Sequence, residues 1–252
     1  MAKHDLTFEP PIMNAAGVLG FFPDRHGPID WGMLGAFITN PVSLSPRTPA
    51  HGSRFEAYPG GFLLHTGYPN PGLSLVLRRY ARQWSHSPLP VIVHLLARGT
   101  AEVAKMARRL ETVEGVSGLE VGVVSDVSDE MLTALTQAAS GELPVIVRLP
   151  MERSIELAYA AIQAGAVAVS LAPPRGIVPT QGGELLHGRL YGPAILPLAL
   201  RVVHELTHLG IPTIGAGGIT IQEHKNAMLA AGALAVQLDS PLWRGAGYSI
   251  FK

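Results

Sequence analysis

The sequence predicts a single (β/α)8 barrel, an α/β TIM-barrel fold, and three observations carry that expectation. Runs of Val, Ile, Leu and Ala alternate with helix-period segments along the chain, the pattern of parallel strands covered on both faces. The chain has 252 residues, close to the ~250 of one such barrel. Near its end, residues 211–239 (IPTIGAGGITIQEHKNAMLAAGALAVQLD) read as strand, glycine turn, helix and strand. Gly215, Gly217 and Gly218 allow a tight turn with positive φ. Thr220 can cap a helix whose apolar positions Ala227, Met228 and Ala231 recur at helical spacing before Gly232 ends it. Such a turn suits a phosphate, because free N–H groups and the helix dipole both point at it. In barrels the loops after strands 7 and 8 often hold one. A plain tight turn would leave the same trace.

The elements follow in order. Residues 11–16 (PIMNAA) form a first strand closed by Gly17, residues 31–34 a short helix, and residues 35–39 (GAFIT) the second strand. Residues 40–71 carry many Pro, Gly and His and little periodicity; a loop of that length is a functional segment or a lid. Residues 73–84 are helical, with Arg78, Arg79 and Arg82 on the wet side. The third strand is residues 90–95 (PVIVHL), followed by a helix over 100–110 that Thr100 caps. The fourth is residues 118–124 (GLEVGVV), followed by a helix over 128–139 with Asp129 and Glu130 in its first turn, where the dipole favours carboxylates. Residues 144–149 (PVIVRL) and 166–171 (AVAVSL) are the fifth and sixth strands, with a helix over 154–164 between them. A second long loop covers 172–190, and a helix covers 193–209. No repeat, linker or low-complexity stretch divides the chain, so residues 1–252 read as one domain.

Composition narrows the function classes. Lys plus Arg and Asp plus Glu are 19 each, which suggests neither nucleic acid nor a membrane surface as partner. Without cysteine there is no disulfide, thiolate metal site or cysteine nucleophile. The N-terminus lacks an apolar core of signal-peptide length, and no run reaches the ~18 apolar residues of a membrane span; a cytoplasmic protein is expected. Only 12 residues follow Ser240, among them Leu242, Trp243, Tyr248, Ile250 and Phe251. The expectation is a truncated last helix and a strand-8 side covered by a partner subunit or a second copy; a disordered tail is the alternative.

Several strings, in order, resemble the dihydroorotate dehydrogenase family of FMN-dependent (β/α)8 enzymes: PIMNAAG (11–17), LGAFITNPVSLSPR (34–47), GYPNPG (67–72), YGPAILPLALRVV (191–203) and the stretch 211–239. The resemblance implies FMN at the C-terminal mouth of the barrel. It places Ala15, Ala16 and Gly17 beside the flavin, Gly192 before the sixth helix, and Gly217 and Gly218 at its phosphate.

Side chains depart from that pattern. Where the family has a Lys touching flavin and substrate, the chain has Asn40, followed by Pro41. A substrate-binding Asn corresponds to Leu64, beside His65. The frame Glu-x-Asn-x-Ser-Cys-Pro-Asn reads Glu120, Val121, Gly122, Val123, Val124, Ser125, Asp126, Val127, so Ser125 falls at the base position while Gly122 and Val127 replace both Asn. A flavin-contacting Lys becomes Arg148, an Asn becomes Ala172 or Pro173, and a phosphate-binding Gly-Thr pair becomes Asp239-Ser240. A site built on hydrogen bonds loses orders of magnitude in selectivity when its partners vanish, so oxidation of dihydroorotate itself is not expected. Arg148 keeps a fixed charge where reduced flavin is negative. Asp239 sets a carboxylate against a dianionic phosphate, at a cost of several kcal/mol at ~5 Å and an effective dielectric near 20.

Three functions stay open. They are an FMN oxidoreductase with a rewritten, more apolar pocket, using Arg148 and Ser125 as remnant base; an inactive paralogue without flavin, serving as a subunit or scaffold; and a barrel that binds another small ligand without redox chemistry. His51 and His65 over the mouth could move protons. His94 could point into the barrel, although a satisfied core histidine is the plainer expectation. His204 and His208 have metal-pair spacing but no third ligand, so no metal is expected and His208 reads as a helix-end residue. Arg47, Arg54 and Arg175 could bind an acidic ligand or be solvated.

Overall fold

The computed structural model describes residues 7–24, 29–52, 54–96 and 98–243. Eight parallel positions form the barrel wall: β1 (Ile12–Asn14), β2 (Phe37–Ile38) extended by β3 (Val42–Ser43), β6 (Val91–Leu96), β7 (Val116–Gly122), β8 (Val145–Pro150), β9 (Ala168–Ala172), β12 (Thr213–Ala216) and β13 (Ala235–Leu238). Their order is β1-β13-β12-β9-β8-β7-β6-β2, with β3 also on β6. The two end strands meet through a single bridge, Met13 to Ala36. Asn14 closes the rest of that seam: its Oδ1 accepts from Ile38 N at 3.0 Å and its Nδ2 donates to Ile38 O at 2.6 Å. A side-chain amide thus supplies the ladder bonds that two short strands cannot.

The helices α1 (Leu73–Trp84), α2 (Thr100–Glu111), α3 (Asp129–Ala139), α4 (Ser154–Gln163), α5 (Leu196–His208) and α6 (Gln222–Ala230) wrap the wall. Their apolar faces and one set of strand side chains build the main core, including Trp84, Leu110, Leu132 and Leu206. The other set, from alternate strand positions, fills the lumen: Met13, Ile38, Ile92, Ile146, Ala168, Ile214 and Ala235, with Phe8. Among the described residues no helix is long and apolar enough to cross a membrane.

Four expectations need correction. The stretches 40–71 and 172–190 are not structureless loops. They contain β4 (Phe55–Tyr58), β5 (Gly61–Leu64), β10 (Arg175–Pro179) and β11 (Leu185–Tyr191), an antiparallel sheet of order β10-β11-β5-β4. Pairing between segments over 100 residues apart cannot be read from local periodicity. Thr100 does not cap α2; it is the first helical residue, behind Gly99, which makes no side-chain cap bond. Thr220 does not cap α6 either. Ile221 holds that position, and the His224 ring reaches back, its Nδ1 3.2 Å from Thr220 N. The residues after β13 begin as a short α7 (Ser240–Trp243); Tyr248, Ile250 and Phe251 lie outside the described residues, so the rest of the expected truncated last helix lies outside them too. By contrast Ser128 does cap α3, its hydroxyl accepting from Met131 N at 3.2 Å.

Candidate active site at the barrel mouth

The site begins with polar residues in the middle of apolar strands. His94, Glu120, Arg148, Ser170 and Gln237 each lie two positions beyond a lumen residue (Ile92, Gly118, Ile146, Ala168, Ala235), so strand alternation turns them inward above the apolar floor. Register puts His94 opposite Glu120, and Arg148 opposite both Ser170 and Gly122. All five side chains are at least 96% buried, Glu120 completely.

Glu120 is the hub. His94 Nδ1 donates to its Oε2 at 2.6 Å, while the Ser170 hydroxyl and Gln237 Nε2 donate to its Oε1 at 2.7 and 2.6 Å. Burial by itself pushes the Glu120 carboxyl up, but the His94 hydrogen bond and charge, Arg148 and Ser170 outweigh it and hold the pKa at about 2. Burial also pushes His94 down, against the pull of Glu120. The resting pair is therefore a carboxylate and a neutral imidazole, with its proton on Nδ1 because a carboxylate only accepts.

Arg148 stays charged: burial disfavours the cation, but Glu120, Tyr68, Tyr191 and Asp239 more than offset it. Its Nε and Nη1 are buried and have no hydrogen-bond partner among the described residues. Unpaired buried donors on a cation are costly, which marks this guanidinium as built for something that sits against it.

Around Arg148 the antiparallel sheet lays an aromatic cover. Phe62 stacks on Tyr191 at 5.4 Å, and Trp243 from α7 packs edge-on against Tyr191 at 5.1 Å. Arg189 lies 4.2 Å over the Tyr68 ring. Tyr68 is the one non-glycine residue with positive φ among those described, at 53°, a cost that loops at functional sites often carry. Burial pushes the Tyr191 hydroxyl well above its ordinary value.

The residues singled out from the sequence fall into three groups. Arg148, Ala16, Gly122, Ala172 and Asp239 lie on the lumen side near the mouth, by strand parity or by packing. Ala15 N bonds Leu238 O at 2.8 Å, and Gly17 follows with φ 91°. Asn40 is engaged elsewhere: its Oδ1 accepts from Gly20 N at 3.1 Å, tying the turns after β1 and β2 together. Leu64 pairs with Arg189 at the end of β5, and His65 N bonds Arg54 O at 2.8 Å.

The loop after β7 is held from outside the lumen. Arg153 Nη1 donates to the Ser125 and Val127 carbonyls at 3.4 and 2.6 Å, and Val127 packs into the wall-to-helix core. No described base bonds the Ser125 hydroxyl. Of the remaining histidines, His51 is exposed, and His208 Nδ1 donates to His204 O at 2.8 Å as a helix-end contact. Among the described residues no cluster of three or more His, Asp or Glu could hold a metal. Arg175 and Arg54 are exposed, while Arg47 Nε donates to Gly67 O at 3.3 Å.

The cradle positions behave differently from one another. A Cβ on Gly218 (φ 73°) would stand 2.3 Å from Leu196 N, and one on Gly192 2.6 Å from Gly61 Cα. These glycines let backbones pack against each other, so close packing already explains them. Asp239 is 5% exposed, burial pushes its carboxyl up, and its Oδ1 accepts the Ser240 backbone N–H. The Ser240 N–H is thus taken by an internal carboxylate.

Glu120, Ser170, Gln237, Tyr68, Arg189 and Tyr191 were not singled out from the sequence. For the first three a signal existed: each is a polar interruption at a matching depth in an apolar strand.

With this geometry in view, the chain matches the family described as Dihydroorotate dehydrogenase over residues 2–150. It is 33% identical to "Dihydroorotate dehydrogenase A (fumarate)" of Lacticaseibacillus paracasei, over 93% of this chain and 88% of that protein. It is 31% identical to "Dihydroorotate dehydrogenase B (NAD(+)), catalytic subunit" of Desulforudis audaxviator, over 93% and 83%. The protein of that same description from Pyrococcus furiosus is 28% identical, over 98% and 88%.

Proposed function

This chain belongs to the dihydroorotate dehydrogenase family, and on that footing we propose that it is an FMN-dependent oxidoreductase whose mouth takes a substrate other than dihydroorotate. Family membership supports the flavin-dependent, oxidoreductase-like part. One observation carries the rest: Arg148, a buried cation with Nε and Nη1 unpaired, faces the lumen below the mouth.

The residues present fit the ring end of a flavin. Arg148 would hold it, beside Ala15, Ala16 and Gly17, with the turn at Gly217 and Gly218 beyond. FMN bound there supplies a two-electron acceptor that becomes anionic when reduced. Arg148 then places a permanent charge beside that anion. The aromatic cover of Phe62, Tyr191 and Trp243 keeps water from the site. Leu64, Gly122 and Ala172 offer no side-chain amide, and Val127 packs away from the lumen, which is why an apolar or differently shaped substrate is proposed.

Purified protein should be yellow, absorb near ~450 nm and release FMN on denaturation. Arg148→Met should weaken FMN binding roughly tenfold or more, the value of a hydrogen bond to a charged group. Colourless protein that takes up no added FMN overturns the reading.

Asp239 supports a second reading, a flavin-free paralogue acting as a subunit, because its carboxylate already takes the Ser240 N–H. Asp239→Gly with Ser240→Thr then restores FMN uptake to a colourless protein. A second copy or a partner over the β13 side belongs to both readings, supported by the exposed Leu234 and Trp243. Sedimentation as a monomer at micromolar concentration, with nothing co-purifying, removes that part.

A further inference from the structure

The antiparallel sheet carries two charges that its own residues leave unbalanced. In the ladder between β10 and β11, Arg175 stands directly opposite Arg189. One step along, Leu190 N bonds Pro174 O at 2.8 Å. The two arginines therefore occupy a pair without mutual hydrogen bonds, where strands come closest and facing Cβ atoms are roughly 5 Å apart. Like charges placed so destabilise a sheet. Among the described residues neither guanidinium has a hydrogen bond or an ion pair. Glu152 spends its Oε1 on the Arg175 backbone N–H at 2.6 Å. Glu56 pairs with Leu63, so alternation puts it on the other face from the row Phe55, Leu64, Arg189 and Arg175.

Arg175 lies on an edge strand, where a charge alone can keep other strands away. Arg189 has no such duty, because β11 is an inner strand of the sheet and the residue is half-buried. Its guanidinium sits 4.2 Å over the Tyr68 ring, a contact that restrains the head and leaves the donors at its edge free. The charge is felt at buried Tyr191 and His94, so the head lies toward the mouth. At the far end of the same row Phe55 is 56% exposed and stacks on Phe62 at 5.5 Å. One face thus offers two unpaired cations at one end and an open aromatic surface at the other.

We propose that Arg175 and Arg189 form a binding site for the dianionic head of a phosphate monoester, whose apolar body lies along Leu64 toward Phe55. Two planar guanidinium forks can share the oxygens of one phosphate. A dianion between them turns their repulsion into two attractions. A single carboxylate neutralises one arginine and leaves the other, which is why the class is a phosphate monoester and not a monocarboxylic acid. Arg148 and the glycine turns take no part, so the site does not rest on bound FMN.

Phenyl phosphate titrated into the whole chain tests this by calorimetry. Binding should saturate and weaken as salt rises. Arg189→Gln and Arg175→Gln should each weaken it about tenfold or more, the worth of charge-assisted hydrogen bonds. Benzoate, with one charge, should bind about tenfold more weakly than the ester. Arg175→Glu sets a carboxylate opposite Arg189, so it should abolish binding and yet raise the melting temperature. The ester should raise the melting temperature of the wild type and leave that of Arg175→Glu unmoved. Added FMN should not displace it. No binding by the wild type, binding indifferent to either arginine, benzoate as tight as the ester, or displacement by FMN overturns the proposal. A lower melting temperature in Arg175→Glu overturns it too, because the two cations would then not be in conflict. Protein that takes up no FMN would remove the flavin reading and leave every one of these outcomes in force.

Discussion

The wall from β6 to β9 and the turns after β12 and β13 solve opposite problems with polar groups. On the first side the positions Gly122 and Ala172 are bare, and the polar groups His94, Glu120, Arg148 and Ser170 stand beside or before them on β6 to β9. On the second side the backbone shape is held by glycines, but a carboxylate, Asp239, has taken an available amide. One side keeps unspent hydrogen-bonding capacity at Arg148, and the other has already given the Ser240 N–H to an internal carboxylate. Chemistry is therefore to be sought at the first side, and the second is where a phosphate would meet resistance.

The largest effect that can break this comparison is Glu120→Ala. It strands His94, Ser170 and Gln237 and removes the nearest counter-charge of Arg148, which should cost roughly 3–5 kcal/mol in chemical denaturation. A loss under about 1 kcal/mol would show that the network is not holding the wall together.

Gly218→Ala comes next. Its methyl meets Leu196 N at 2.3 Å with φ at 73°, so roughly 2–3 kcal/mol of stability should go. Full stability would mean the turn can relax, and that the glycine is there for a ligand.

Acid sharpens the contrast further. Glu120 is held at about 2, below its ordinary 4.5. A depressed carboxyl stabilises fully above the unfolded value and loses that contribution as pH falls through the folded one. Stability should therefore decline between pH ~4.5 and ~2, and the decline should flatten in Glu120→Gln. Asp239 has the opposite sign: its raised carboxyl favours the fold at lower pH, and Asp239→Asn should gain stability at neutral pH. The smallest effect is His224→Ala, about 0.5–1 kcal/mol for the lost contact with Thr220 at the start of α6.

Much of the fold was legible because it is local. Alternating apolar runs such as PVIVHL and PVIVRL fix strands and helices without reference to distant partners, and the length admits one barrel. The mouth was legible only in part. Arg148 and Asp239 stand out as charges beside apolar strands, but nothing near Asn40 says that its amide is spent on Gly20. Gly122 reads as a lost side chain until His94, on the neighbouring strand, is seen to need the space.

By itself, then, the sequence determined the barrel and the order of its strands along the chain, since these follow from period and length. Only the tertiary structure decided that residues 40–71 and 172–190 pair into a sheet over the mouth, and that Glu120 collects three donors from β6, β9 and β13. Both depend on contacts between segments far apart in the chain. The free energy of a buried charge is set by whichever groups the closed barrel brings around it, and no stretch of sequence contains them all.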